Sequence, residues 1–327
     1  MNTSAETARA FWIMQPGAGH IREETLPPAR NDDVLVRSLY SGISRGTETL
    51  VFTGRVPKTQ YEAMRAPFQA GDFPGPVKYG YINVGRIEEG PAERIGETVF
   101  CLHPHQDRYR VPASAAVPLP AGVPPERAVL AANMETAINA FWDAGPLAGD
   151  RIVIIGAGVL GLLTAWLCRQ VPGAEVTLID INPARRAASE ALGIGFALEV
   201  AEAADADLVI HASGQPEGLA EALRHAGLEA TVLELSWYGD HPVTLPLGEG
   251  FHSRRLVLRS SQVGRIPAHR QTRWDYRRRL RLALELLRAP ELDRLITGES
   301  LFETLPAVMT ELARGGGDTL CHRIRYP

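Results

Sequence analysis

Residues 151–180 read RIVIIGAGVLGLLTAWLCRQVPGAEVTLID. The apolar strand IVII leads into Gly156-Ala157-Gly158-Val159-Leu160-Gly161. That turn opens the helix LLTAWLCRQ, and a second strand ends at Asp180. In such a unit the first glycine allows the tight turn. The second lets the backbone approach a pyrophosphate, and the third lets helix and strand pack closely. The helix N-terminus presents free N–H groups and a positive dipole end to phosphates. Asp180 lies 19 residues after Gly161. A carboxylate there accepts hydrogen bonds from ribose hydroxyls and repels a 2′-phosphate. The stretch therefore predicts a dinucleotide site preferring NAD(H), with Ile181 beside the carboxylate. Arg185 and Arg186 follow closely enough to tolerate a phosphate, which keeps NADP(H) as the alternative. The other reading of Asp180 is a plain turn residue.

Working outward, DLVIHASG (207–214), ATVLELSWYG (230–239) and RLVLRSSQVG (255–264) read as further strands, with helical stretches between some of them. This alternation predicts a parallel sheet covered by helices, an α/β doubly wound Rossmann domain. Ligands of such sheets bind at the carboxyl ends of strands. Ser213-Gly214, Ser236-Trp237-Tyr238-Gly239 and Ser260-Ser261-Gln262 should therefore face a nicotinamide. Residues 124–145 have helical spacing and begin with prolines tolerated in a first turn. Before them, VLVRSLYSG, YINVGRIEEG, ETVFCL and DRYRVPA are short strands broken by turns, which suggests a small β-barrel-like domain. The expected division is 1–123, 124–265 and a return segment 266–327, whose last strand rejoins the first domain. FHSRR (251–255) is open to two readings, an anion contact or a surface turn.

At 327 residues with 45% apolar content, two domains are expected. The net charge of −4 argues against nonspecific nucleic-acid binding. The basic helix RRRLRLALELLR (277–288) reads as a solvated face. Cys101, Cys168 and Cys321 show no C-x-x-C spacing. MNTSAETARAFW lacks a basic region followed by an apolar stretch, and no run of about 18 apolar residues occurs. The expectation is a soluble cytoplasmic protein with a small-molecule substrate, bound neither to nucleic acid nor to a membrane.

The order of parts and these residues resemble the medium-chain dehydrogenase/reductase superfamily over nearly the whole chain. The resemblance implies a GroES-like β-barrel substrate domain beside the Rossmann domain, hydride transfer between an alcohol and a ketone or aldehyde, and a homodimer. In that family a G-I-C-type sequence carries the first metal ligand; here it is Gly42-Ile43-Ser44. A later G-H-E followed by a glycine carries the second; here Gly80-Tyr81-Ile82-Asn83-Val84-Gly85 has that spacing, with Tyr81 in place of the histidine. The third position aligns with Ala132, with Glu135 close by. The four-cysteine zinc lobe is missing. Zinc needs three or four converging N, S or O ligands, so the chain resembles a zinc-independent member. SGISRGTE (41–48) is similar to the loop of the bacteriochlorophyllide dehydrogenase-like branch. Thr136 stands at the family's hydroxyl position behind the nicotinamide ring.

Without a metal, the charge that builds on a carbonyl oxygen needs protein donors. Tyr81 is one candidate, with Lys78 three residues before it as a cation that would lower the phenol's pKa from about 10. The alternative is that Tyr81 fills vacated space and Lys78 is a surface charge. His105, beside Gln106 in FCLHPHQDRY (100–109), is a second candidate as acid or base. Strand alternation would instead group it with Cys101 and His103 around a metal, although Pro104 disturbs the strand. Ser44 and Thr47 are the third, with Glu48 placed to orient them or Arg45. Two other functions compete with the alcohol/ketone oxidoreductase: an NADPH-dependent enoyl or quinone reductase, and a nonenzymatic NAD(H)-binding sensor.

Overall fold

The structure, a computed structural model, describes residues 6–199 and 202–327. The leaderless reading of the N-terminus rests in part on residues 1–5, which lie outside the described residues. The chain divides into two compact units, Met1–Ala132 with Ile296–Pro327, and Asn133–Leu295.

The first unit is built around the strand Asp33–Ile43. It pairs antiparallel with Asn83–Glu89, Arg108–Pro112 and the C-terminal strand Cys321–Arg325. The return of the last strand expected from sequence is thus observed, with Ile324 opposite Ser41 and His322 opposite Ile43. The sheet has seven strands. Val34, Val36, Ile87, Val99, Tyr109 and Val111 form one of its buried clusters. A second sheet combines Thr7–Gln15, Ala18–Thr25, Ala70–Gly71 and Val77–Lys78. These mixed sheets agree with the expected GroES-like domain.

The second unit carries a six-stranded, wholly parallel sheet. Its spatial order is Gly195–Ala197, Glu175–Ile179, Arg151–Ile155, Ala206–His211, Ala226–Glu234, Val257–Ser260. From Arg151–Ile155 the chain first builds outward to one side and then resumes on the other. The switch point therefore lies between Arg151–Ile155 and Ala206–His211, where open parallel sheets bind ligands. The register places Ile155 opposite both Ile179 and His211, His211 opposite Glu234, and Glu234 opposite Ser260. The carboxyl ends of the strands consequently fall in line.

Two boundaries differ from the sequence reading. The expected helix over 124–145 is two helices, Pro125–Ala128 and Ala131–Ala144, and the division falls within the second, after Ala132. The preceding turn packs on the first unit: a Cβ added to Gly42 would lie 3.1 Å from the Val129 carbonyl. The return segment begins at Ile296, not at residue 266. The helix Tyr276–Leu286 stays with the second unit because buried Arg279 binds Glu135, the Asn139 side chain and the Val263 carbonyl. The basic helix is therefore not basic only on a solvated face. Among the described residues no helix is long and apolar enough to cross a membrane.

Candidate functional site

In the first unit, polar groups gather where the strand Asp33–Ile43 ends and the helix Arg45–Phe52 begins. Gly42 is required there, since a Cβ would lie 2.9 Å from Ile82 Cγ2. Ser44 is the N-cap residue, and Glu48 Oε1 accepts its backbone N–H at 2.7 Å. The other oxygen of Glu48 meets His105 Nε2 at 2.8 Å, with both residues buried. His105 Nδ1 lies 2.7 Å from Ser41 Oγ, which lies 3.0 Å from the Tyr326 hydroxyl. Gly80, at φ +131°, leaves room for the imidazole: an added Cβ would approach His105 Cδ2 to 3.1 Å.

The Tyr81 hydroxyl lies near enough to the Ser44 and Thr47 side chains for both to act on its pKa. Three of the sequence-predicted residues therefore form one cluster. Burial pushes the Tyr81 phenol up to about 12, the charge of Glu48 adds to this, and the bonds from Ser44 and Thr47 oppose it. The expectation that Lys78 lowers this value is overturned, since Lys78 is not among the groups that act on it. Lys78 is buried in an ion pair with Glu24 and donates to Gln106 Oε1 at 2.8 Å. Its partners lie on a different side chain network, so it is neither a surface charge nor a helper of Tyr81.

The alternation that would group Cys101, His103 and His105 fails because the strand stops at Cys101. His103 stacks on Tyr109 at 3.8 Å between ring centroids, and its Nδ1 lies 3.0 Å from the Pro104 carbonyl oxygen. Burial lowers His103 to about 3 and raises the Cys101 thiol to about 12. Among the described residues no group of three or more His, Cys, Asp or Glu side chains is arranged to hold a metal ion. The positions aligned with zinc ligands do not fit the ion either. Ser44 offers a neutral hydroxyl, Tyr81 a phenol that keeps its proton, and Ala132 a methyl. Glu135 is buried against Arg279 at 3.1 Å. Its carboxyl is raised by burial and drawn back by the guanidinium.

In the second unit the glycine turn has the shape a pyrophosphate needs. Gly156 has φ +105°, and an added Cβ would lie 2.5 Å from the Ser213 nitrogen. A Cβ on Gly161 would lie 1.9 Å from the Gly156 carbonyl oxygen. Gly158, N-cap of the helix Val159–Cys168, faces open space. Asp180 accepts the Ala157 N–H at 2.6 Å on one oxygen and the Asn182 N–H at 2.8 Å on the other. It therefore does act as a turn residue, and each oxygen keeps a lone pair for a ribose hydroxyl. Ile181 beside it is 91% exposed. Arg185 is buried, whereas Arg186 lies over the Phe196 ring and within 3.8 Å of Glu190.

Among the strand ends, Ser213-Gly214 and Ser236 come together, the Gly214 N–H donating to Ser236 Oγ at 3.1 Å. Trp237 and Thr136 are half-buried. Ser261 is turned toward the helix Ala131–Ala144, where it donates to Asp143 at 2.6 Å. The sequence reading missed four residues: Ser41, Tyr326, His211 and Glu234. The last two were signalled by a titratable residue closing each of two adjacent apolar strands.

No family model matches the chain. Over 117 residues it is 29% identical to an L-threonine 3-dehydrogenase of Rhizobium rhizogenes, covering 36% of this chain and 33% of that protein. The chain thus matches about a third of that relative's length. A longer match, 24% identical over 266 residues, joins 71% of this chain to 77% of an uncharacterized zinc-type alcohol dehydrogenase-like protein of Haemophilus influenzae. An Escherichia coli CFT073 alcohol dehydrogenase complexed with NADH superposes with TM-score 0.77 at 18% identity, covering 98% of this chain and 99% of that one. A Sinorhizobium meliloti 1021 protein bound to NADP gives the same score, identity and coverage. These likenesses support the medium-chain dehydrogenase/reductase superfamily. Fold and glycine turn agree with it, whereas the metal positions do not follow its zinc-type members.

Proposed function

We propose that this chain is an NAD(H)-dependent oxidoreductase that interconverts an alcohol and a ketone or aldehyde without zinc, as in the bacteriochlorophyllide dehydrogenase-like branch its loop resembles. The reading rests on one observation: the Tyr81 phenol, which burial and the Glu48 charge keep protonated, lies close enough to Ser44 and Thr47 for both to act on it. A bound nicotinamide supplies or accepts the hydride. In reduction, Tyr81 donates a hydrogen bond to the substrate oxygen as charge builds there, and its proton moves to that oxygen. Ser44 and Thr47 lie beside the phenol and relay to it a proton taken up from solvent, each hydroxyl giving one proton and receiving another. His105, fixed between Glu48 and Ser41, keeps that carboxylate aimed at the Ser44 turn.

In the same proposal the glycine turn binds the pyrophosphate, and Asp180 favours NAD(H) over NADP(H). The burial of Arg185 supports this preference. A homodimer is part of the proposal, supported by the sheet's edge strand Val257–Ser260, where Val257 is 45% and Leu258 37% exposed. The test is turnover by Tyr81→Phe. Loss of activity with cofactor affinity retained supports the proposal, whereas unchanged turnover removes Tyr81 from it.

A further inference from the structure

The second unit contains a buried polar cluster that the reaction above does not use. His211 closes the strand Ala206–His211 and is fully buried. Its Nδ1 lies 2.8 Å from Glu234 Oε2, at the matching end of the neighbouring strand, and its Nε2 lies 2.6 Å from Ser213 Oγ. The Tyr238 hydroxyl donates to Glu234 Oε2 at 2.8 Å, and the Ser236 N–H donates to Glu234 Oε1 at 2.5 Å. Gly218 must lack a side chain, because a Cβ would lie 2.7 Å from His211 Nε2 and 2.4 Å from Ser213 Oγ.

Ser213 Oγ accepts the Gln215 N–H at 3.1 Å and lies beside His211 Nε2. The Ser236 N–H, the Tyr238 hydroxyl and His211 Nδ1 all converge on Glu234. The cluster thus fixes the Glu234 carboxyl group at the carboxyl edge of the parallel sheet.

Its place along that edge matters. Asp180 follows the strand Glu175–Ile179 and marks the adenosine side, while the glycine turn follows the adjacent strand Arg151–Ile155. Beyond the turn, on the side away from Asp180, come His211 and then Glu234. Ser213 lies against the turn itself, since a Cβ added to Gly156 would meet its backbone nitrogen at 2.5 Å. A dinucleotide laid along these ends brings its nicotinamide half toward Glu234.

We infer that Glu234, held by His211, Ser213, Ser236 and Tyr238, makes this site select the oxidised, cationic nicotinamide over the reduced, neutral one. The inference rests on the cofactor reading above and adds a specificity determinant to it. At an effective dielectric of about 20, a carboxylate about 12 Å from a cation favours it by about tenfold, and a nearer one by more.

The test measures dissociation constants of NAD+ and NADH for the unmodified protein and for Glu234→Gln, His211→Gln and Tyr238→Phe. Unmodified protein should bind NAD+ at least as tightly as NADH. Glu234→Gln should shift the ratio of the two constants toward NADH by about tenfold. His211→Gln and Tyr238→Phe keep the carboxylate and should leave the ratio within about twofold, although both constants can weaken together. A purely structural role would weaken both cofactors equally in Glu234→Gln, and that result overturns the inference. Tenfold tighter NADH binding by the unmodified protein overturns it even if Glu234→Gln does not fold. Binding of neither cofactor sinks the cofactor reading as well, whereas binding with an unmoved ratio sinks this inference alone.

Discussion

Replacing Tyr81 by Phe removes one hydroxyl and leaves the ring in its half-buried place. Removing one donor to a developing oxyanion costs about 10²–10³ in rate, or about 2.7–4 kcal/mol. Ser44 and Thr47 remain in the variant and can donate in part, so the floor of the expected loss is about tenfold, or 1.4 kcal/mol. Cofactor affinity should not change, because the glycine turn and Asp180 belong to the other unit. The assay is NADH consumption over a panel of ketones and aldehydes, and NAD+ reduction over the matching alcohols, with cofactor dissociation constants measured alongside. The raised pKa supplies a second signature. Below about 12 the phenol is protonated, so reduction finds its proton donor ready and should be flat with pH across neutrality. Oxidation needs the scarce phenolate, and its rate should rise about tenfold per pH unit toward about 12. Tyr81→Phe should abolish that slope. A variant that keeps both turnover and slope refutes the reasoning.

Purified protein should contain well under one zinc per chain by elemental analysis, and chelators should leave turnover unchanged; stoichiometric zinc would contradict the donor chemistry at Ser44, Tyr81 and Ala132. NADH should bind at least tenfold more tightly than NADPH, about 1.4 kcal/mol, and Asp180→Ala should narrow the gap in a binding titration. His103 has its folded value lowered to about 3 from an ordinary 6.5, so the unfolded chain binds a proton that the native chain refuses. Its stabilising effect is complete above pH 6.5 and declines as pH falls toward 3, at up to about 1.4 kcal/mol per pH unit. His103→Phe, which keeps the stack on Tyr109, should flatten that part of a denaturation-versus-pH curve.

The parallel sheet was legible because its evidence is local. Strand, glycine turn, helix and carboxylate follow one another within 151–180, and each glycine meets a steric demand that the structure confirms at Gly156 and Gly161. The first unit's strands were also legible from alternation and turns. Partner choice across long separations was not. Lys78 lies three residues from Tyr81 in sequence, yet its partner is Glu24, 54 positions away. Ser41 meets Tyr326 across 285 positions, because the C-terminal strand returns beside Asp33–Ile43, and no spacing rule encodes that. The domain boundary was misplaced because helical periodicity continues through Pro124–Ala144 while the packing partner changes at Ala132.

The two polar clusters share one construction. In each, a buried imidazole bridges a serine hydroxyl and a carboxylate: Ser41, His105 and Glu48 in the first unit, Ser213, His211 and Glu234 in the second. Burying a carboxylate is costly unless donors satisfy it, and in both clusters an imidazole nitrogen lies 2.8 Å from the carboxylate. An arginine or lysine would have neutralised it, as Arg279 does for Glu135. What each retained charge does follows from its neighbour. Glu48 faces a phenol and raises its pKa, which keeps the proton on Tyr81. Glu234 faces the strand ends beyond the glycine turn, where a negative charge favours a cationic ring. The first charge acts on the proton and the second on the hydride carrier, so they can be altered separately. Tyr81→Phe should change turnover and its pH slope with the cofactor ratio intact, while Glu234→Gln should change the cofactor ratio with the slope intact. A single variant that moved both would show that the two charges do not act independently.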